Sequence, residues 1–256
     1  MLAEEAPLTR KPRAVVVGAS TGIGAAVAQR LAAEGYVVAL LARRKDLLDE
    51  LCRQINSEAG ESVAFAYQHD VTETHTTPGL FQQLLKDLGG LDLIVYNAGV
   101  MPKLALTEFD WEKDRQTLET NLLGAVAWLG PAAALFQAMG AGSIVGLSSV
   151  AGDRGRVANP AYNSSKAGLD AYLEGLRNRL TRHGVHVLTV KPGFVDTEML
   201  KAARATFGKI SPEQAALGIW KAICRRSQLV YLPWWWRWVM LVVRLVPSFI
   251  FRGLSF

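Results

Sequence analysis

The sequence predicts an α/β fold, with a doubly wound, mostly parallel sheet covered by helices on both faces. Three observations lead there. Short β-branched runs recur along the chain, and longer segments of helical period separate them. The runs are apolar almost end to end instead of alternating, the pattern of strands buried on both faces in a parallel sheet. Repeated strand–helix–strand order then implies right-handed crossovers.

The elements follow in order. RAVVVG (13–18) is an apolar run ending in glycine, and a helical segment follows from Gly22 to about Glu34. YVVALLA (36–42) is the second strand, followed by a charged helix to about Ala59. SVAFAY (62–67), LDLIVY (91–96), GSIVGL (142–147) and VHVLTV (185–190) repeat the theme, and LVYL (229–232) supplies a seventh strand. Residues 1–232 are therefore expected to form one Rossmann-type domain, with 233–256 as a C-terminal amphipathic, apolar helical tail. The first residues, MLAEEAPLTRKPR, lack the apolar stretch of a signal peptide and are expected to form a loose arm.

Composition narrows the function. At 256 residues and 50% hydrophobic, the chain can build one large core. Its net charge of +5 is not gathered into a basic block, which argues against nucleic acid as a partner. Cys52 and Cys224 are far apart and are expected to be free thiols in a reducing, cytoplasmic compartment. The four histidines are scattered, with His183 and His186 flanking Gly184 in a helix-to-strand turn. No set has metal-ligand spacing, so no metal is expected.

In an open parallel sheet, ligands bind beyond the carboxyl ends of the strands. The loop after strand one is GASTGIG. Gly18, Gly22 and Gly24 let backbone approach a pyrophosphate, Ser20 and Thr21 add hydroxyls, and the helix opening at Gly22-Ile23 points free amides at phosphate. The second strand ends in Arg43 and Arg44, where a carboxylate would bind the ribose 2′-hydroxyl of NAD. Two guanidiniums suit a 2′-phosphate instead, because arginine forms forked hydrogen bonds to phosphate oxygens, and they favour NADP(H) over NAD(H). Asp46 and Asp49 are close enough in sequence to neutralise them in part. Asp70 and Val71 follow strand three, where a carboxylate can accept from an adenine amino group. Asn97, Ala98 and Gly99 follow strand four, small residues beside which a cofactor can pass.

The loops after strands five and six carry the chemistry. Tyr162 and Lys166 are four residues apart and share one face of a helix. A free tyrosine titrates near 10, and an ammonium beside it stabilises the phenolate. Ser149 precedes Tyr162 by thirteen residues, and its hydroxyl can polarise a carbonyl.

With these motifs in order, the sequence resembles the short-chain dehydrogenase/reductase family from residue 13 to about 200. The resemblance matches the family's glycine motif to Gly18, Gly22 and Gly24, its N-A-G to Asn97–Gly99, and its catalytic set to Asn121, Ser149, Tyr162 and Lys166. It matches the P-G after strand six to Pro192 and Gly193, with Val195 and Thr197 as further cofactor contacts. It implies that Tyr162 passes a proton to a carbonyl oxygen while NADPH delivers hydride. It also implies that Ser149 bonds that oxygen, Lys166 binds the nicotinamide ribose and Asn121 holds a relay water. Homodimers or homotetramers, paired through the helices of Asn121 and Tyr162, are the family expectation. A nucleotide-binding scaffold without turnover is the alternative from another class.

The tail needs its own account. WWWRW (234–238) holds four of the chain's seven tryptophans. A spanning helix needs ~20 apolar residues. Pro233, Arg237, Arg244 and Pro247 interrupt this stretch, and an arginine near a bilayer centre costs about 2.5–3.5 kcal/mol. Wound at about 100° per residue, 234–246 places Arg237 and Arg244 on one stripe, with Trp235, Val239, Val242 and Val246 on the far side. That pattern suits a helix lying in a membrane surface, with SFIF (248–251) as a second insertion. It also suits a subunit interface. The first reading favours a lipophilic carbonyl or alcohol substrate; the second goes with a soluble reductase of small carbonyls. Residues 193–210 are expected to form a lid.

Overall fold

The computed structural model describes residues 10–202 and 207–254. Seven strands form one sheet in the order β3-β2-β1-β4-β5-β6-β7, and every pairing is parallel. They are β1 (Arg13–Val17), β2 (Val37–Ala42), β3 (Ala64–Gln68), β4 (Leu93–Tyr96), β5 (Ser143–Leu147), β6 (His186–Pro192) and β7 (Leu229–Leu232). The helices are α1 (Gly22–Ala33), α2 (Lys45–Ala59), α3 (Thr77–Leu88), α4 (Trp111–Leu118), α5 (Gly124–Met139), α6 (Pro160–Leu180), α7 (Pro212–Cys224), α8 (Trp236–Leu245) and α9 (Ser248–Phe251). All seven expected strands form, and the sheet is wholly parallel rather than mostly so.

The continuous apolar strands have a direct cause. In β1, Ala14 and Val16 face a core shared with α1, α2 and α7, while Val15 and Val17 face a second core with α3, α5 and α6. With both faces covered, most strand positions are apolar. Trp128 of α5 fills the second core, fully buried, with its ring edge-on to Phe81 and His69. The stretch 111–139 is long and apolar enough to cross a membrane by length and composition. Its Trp128, Leu129 and Phe136 are nevertheless packed into the sheet's core.

β1 lies between β2 and β4, so the strand order reverses there, and Val17 is level with both Leu41 and Tyr96. The loops after β1 and β4 therefore open a crevice at one height. The opposite edge is tied by Asp92, which accepts from Arg10 and from both the backbone and side chain of Arg13. Burial pushes the Asp92 carboxyl up, but those bonds outweigh it and hold it below the ordinary carboxylate value.

The tail helix α8 docks on the domain in a rotation the sequence pattern did not give. Trp236 and Met240 are buried with Val150 and Tyr231, whereas Val242 is 64% exposed. Apolar side chains ring most of this helix, so periodicity alone defines no single inner face. The socket is at Gly193, where an added Cβ would lie 1.9 Å from the Trp236 indole nitrogen. Only a residue without a side chain admits that indole.

Trp128→Ala should lower the unfolding free energy in a urea titration by about 3–5 kcal/mol, the usual cost of emptying a core aromatic site. Trp238→Ala, on the exposed side of α8, should change it by no more than about 0.5 kcal/mol.

Candidate active site

The loops at the carboxyl edge enclose a cleft of about 240 Å³. It is lined from the β1–α1 turn, Arg43 and Arg44, 69–71, 97–100, Thr120 and 197–199. Gly18 has φ +87°, and a Cβ there would lie 2.5 Å from the Ala98 nitrogen. A Cβ on Gly24 would lie 2.1 Å from the Gly18 carbonyl oxygen. These glycines make the close approach of two loops possible. The Asn97 side-chain amide donates to the Gly18 carbonyl at 2.8 Å and locks that approach. Thr21, at the N-cap of α1, makes no side-chain capping bond. The helix therefore presents uncapped first-turn amides, with Gly22 and Ile23 on the cleft wall.

The two arginines part company. The Arg44 guanidinium donates to the Ser20 and Thr21 hydroxyls at 3.0 and 2.9 Å, beside the glycine turn. Arg43 is 59% exposed and stands 3.8 Å from the Asp70 carboxylate. Asp70 is itself pinned by the Thr72 amide and hydroxyl, with Val71 on the cleft wall. Asp49 is engaged by Lys45, and among the described residues neither Asp46 nor Asp49 pairs with these arginines. The groups present fit a dinucleotide bearing an extra phosphate: a glycine cradle, uncapped helix amides, and two cations at the end of β2.

Beside the cleft, beyond Gly99 and Val100, a second group of residues is built around β5 and α6. Ser149 caps a short 3₁₀ turn, Val150–Gly152, and its oxygen accepts from the Ala151 amide at 3.1 Å. Its hydroxyl also acts on the Tyr162 phenol, pulling that group downward against the effect of burial. Asn159 caps α6 by accepting from the Tyr162 amide at 3.0 Å, and its own amide donates to the Pro102 carbonyl. Tyr162 is thereby fixed in the first helical turn. Lys166, 4% exposed, donates to the Leu147 carbonyl at 2.9 Å, with its nitrogen 5.8 Å from the Tyr162 ring centroid. Asn121 is fully buried, accepts from the Val100 amide at 2.7 Å, and donates to the Val100 carbonyl and the Ser165 hydroxyl. A Cβ on Gly99 would meet both Asn121 and Lys166, at 3.3 and 3.5 Å. All four residues expected to be catalytic therefore gather at one place.

Pro192 closes β6, and the Gly193 amide donates to the Leu232 carbonyl at 2.8 Å. Val195 bridges to Ile210, and the Thr197 methyl packs on Gly22 across the cleft. The expected lid includes a short 3₁₀ turn, Glu198–Ala202, while 203–206 lie outside the described residues.

Several features were not legible in the spacing. Asn121 belongs to a π turn, Glu119–Leu123, between α4 and α5, a distortion common at functional sites. Arg156 lies in the loop before Tyr162, and its Nε is buried without a hydrogen-bond partner among the described residues. Lys191 on β6 joins Asp170, one turn beyond Lys166, at 2.8 Å, and also Asp153, which accepts from the Tyr231 hydroxyl. Of these, only Asp170 left a sequence signal, its i+4 spacing from Lys166.

The electrostatics differ from the sequence expectation. Burial pushes the Tyr162 phenol above 10, and the opposing pulls come from the Ser149 hydroxyl and the Arg156 cation. The Lys166 ammonium is turned to the Leu147 carbonyl instead. Burial lowers Lys166 to about 8, with Asp170 acting in the opposite direction.

Comparison with known proteins agrees with the fold. The family model for short chain dehydrogenases matches residues 12–207. An oxidoreductase of Mycobacterium tuberculosis is 30% identical over 91% of this chain and 92% of its own length. A Sphingobium yanoikuyae short-chain dehydrogenase in complex with NADPH has a TM-score of 0.81 at 25% identity, covering 91% of this chain and 92% of that one. An alcohol dehydrogenase of Thermococcus sibiricus complexed with 5-hydroxy-NADP has a TM-score of 0.78 at 25% identity, covering 87% and 96%.

Two outcomes are expected. Gly24→Ala should weaken nucleotide binding at least about tenfold in a fluorescence titration, since the Cβ would strike the Gly18 carbonyl. The pH dependence of stability should carry the mark of Lys166. Its folded value, about 8, lies below the unfolded 10.5, so between those values only the unfolded chain keeps the proton and stability rises with pH. Lys166→Met should remove that part of the rise in urea melts taken across this window.

Proposed function

Because this chain belongs to the short chain dehydrogenase family, we propose that it is an NADP(H)-dependent oxidoreductase that interconverts a carbonyl and an alcohol on a lipophilic substrate. The observation that carries this reading is the convergence of the Ser149 hydroxyl and the Tyr162 phenol beside Lys166 and Gly99. The bound nicotinamide supplies or accepts the hydride.

The chain's own residues handle the proton and the oxygen. The raised phenol keeps Tyr162 protonated at neutral pH, ready to donate to a carbonyl oxygen. Ser149 donates to the same oxygen and stabilises the charge that develops there. Lys166 would hold the nicotinamide ribose. Asn121 braces the chain at Val100, so that Gly99 stays against Lys166; its expected relay water belongs to the same proposal. The glycine turn, with Ser20, Thr21 and Ile23, would take the pyrophosphate. Asp70 and Val71 would hold the adenine, and Asn97, Ala98, Pro192, Gly193, Val195 and Thr197 would flank the nicotinamide end.

The preference for NADP(H) rests on Arg43 and Arg44, and the two solved relatives described above carry NADP-type ligands. The lipophilic substrate is supported by the aromatic cluster beyond Ser149, where Phe194, Phe207, Trp235 and Trp236 pack on one another next to Val150. A homodimer or homotetramer paired near α5 and α6 completes the reading, and Leu123 and Val126 are exposed there.

Tyr162→Phe should lower turnover with NADPH and a panel of apolar ketones by about 10²–10⁴, the usual contribution of a positioned proton donor. Nucleotide affinity should be nearly unchanged. Unaltered turnover would remove Tyr162 from the chemistry. Arg43→Asp and Arg44→Asp should weaken NADPH far more than NADH; equal losses would end the 2′-phosphate assignment.

A further inference from the structure

We propose that the outward face of α8 and α9 is a docking surface for an anionic lipid bilayer. The helix α8 has two apolar faces. At about 100° per residue, Trp236, Met240, Val239 and Val243 share the side packed on the domain. Trp238, Leu241, Val242 and Leu245 share the opposite side, and they are 57%, 46%, 64% and 73% exposed. Trp234 precedes them at 71%, and Phe249 and Ile250 of α9 follow at 69% and 49%. The inner face is accounted for by its contacts with Val150, Tyr231 and Phe194, whereas the outer face packs on no other element among the described residues. An exposed apolar run of this extent marks an interaction surface.

Charge selects the occupant. Arg237 and Arg244 lie together on the flank between the two faces, and Arg252 follows α9. All three are exposed, and none has an ion-pair partner among the described residues. From Gln214 to the end, the chain carries Lys221, Arg225, Arg226, Arg237, Arg244 and Arg252, with no aspartate or glutamate. If a second copy covered this patch, it would bring a second set of arginines and no acid from the same segment to receive them. A bilayer takes the apolar face into its boundary layer, seats tryptophan at the interface, and lets the flanking arginines extend to phosphate headgroups. Anionic lipids then add an attraction that falls with salt.

The patch is held rigidly to the catalytic loop. The Arg154 guanidinium donates to the carbonyls of Val243 and Val246 at the end of α8, and stacks over the Phe251 ring at 3.8 Å. Arg154 lies between Ser149 and Arg156 in sequence. On the inner side, Trp235 stacks on Phe207 and Trp236 packs against it at a tilt. Docking through the outer face would therefore place this aromatic cluster, and the loop at Val150 that packs with it, next to the bilayer.

The test is flotation of the full chain with vesicles of phosphatidylcholine alone and of phosphatidylcholine mixed with phosphatidylglycerol, with mass in solution measured by light scattering. The full chain should float with the mixed vesicles and less with the neutral ones. The exposed-face variant Trp238→Ser/Leu245→Ser should float at least about tenfold less, since binding scales with buried apolar area, with fold and mass unchanged. Arg237→Gln/Arg244→Gln should lose the preference for the mixed vesicles. Flotation with neither vesicle, equal flotation with both, or variants that float like the parent would overturn the proposal. So would a fall in mass of the apolar variant without flotation, which would make the patch an interface between copies. Tyr162→Phe should float like the parent, so failure here and failure of the catalytic reading are separate results.

Discussion

The hydrogen bond from the Asn97 side chain to the Gly18 carbonyl joins the two halves of this molecule at the point where the sheet reverses direction. Everything at the carboxyl edge is set by that junction. It needs Gly18 without a Cβ, because Ala98 backbone occupies the space, and it needs Gly24 bare, because the Gly18 carbonyl and the Asn97 amide are already there. The loop after β4 then continues through Gly99 to Val100, where the Asn121 amide grips both backbone groups. Lys166 reaches the same turn from α6. One close approach of two loops thus brings the phosphate cradle and the proton-handling residues to the same crevice.

The proton chemistry is shaped by burial more than by pairwise charge. A phenol above its usual value and an ammonium near 8 are both products of desolvation in a packed site. Ser149 is held by the Ala151 amide, and its hydroxyl opposes the burial that raises the phenol. The Asp153–Lys191–Asp170 cluster beneath it is drawn from three separated segments, and it anchors the loop that carries Ser149 and Arg156. The tail closes over that loop through Arg154, which links its orientation to the site.

Much of this was legible in the sequence, for a physical reason. A strand buried on both faces must be largely apolar, so β1 to β6 announced themselves. Residues that follow such strands must share one edge, so Gly18, Asn97, Ser149 and Pro192 could be placed before any contact was known. The rest depends on neighbours remote in sequence. The π turn at Asn121 has no periodic mark. Lys191 reads as a stray charge near the end of β6 until Asp153 and Asp170 close on it. The rotation of α8 follows from a vacancy at Gly193, some forty residues away, and no local pattern of tryptophans contains that information.

The most direct measurement is the fate of the nicotinamide hydrogen. The full chain would be incubated with NADPH deuterated at the transferable position and a set of apolar ketones, and the products examined by mass spectrometry and NMR. Deuterium on the carbinol carbon of an alcohol product, on a single face, is the predicted result. Binding of NADPH without transfer to any carbonyl would contradict it, and would leave the crevice a nucleotide site without this chemistry.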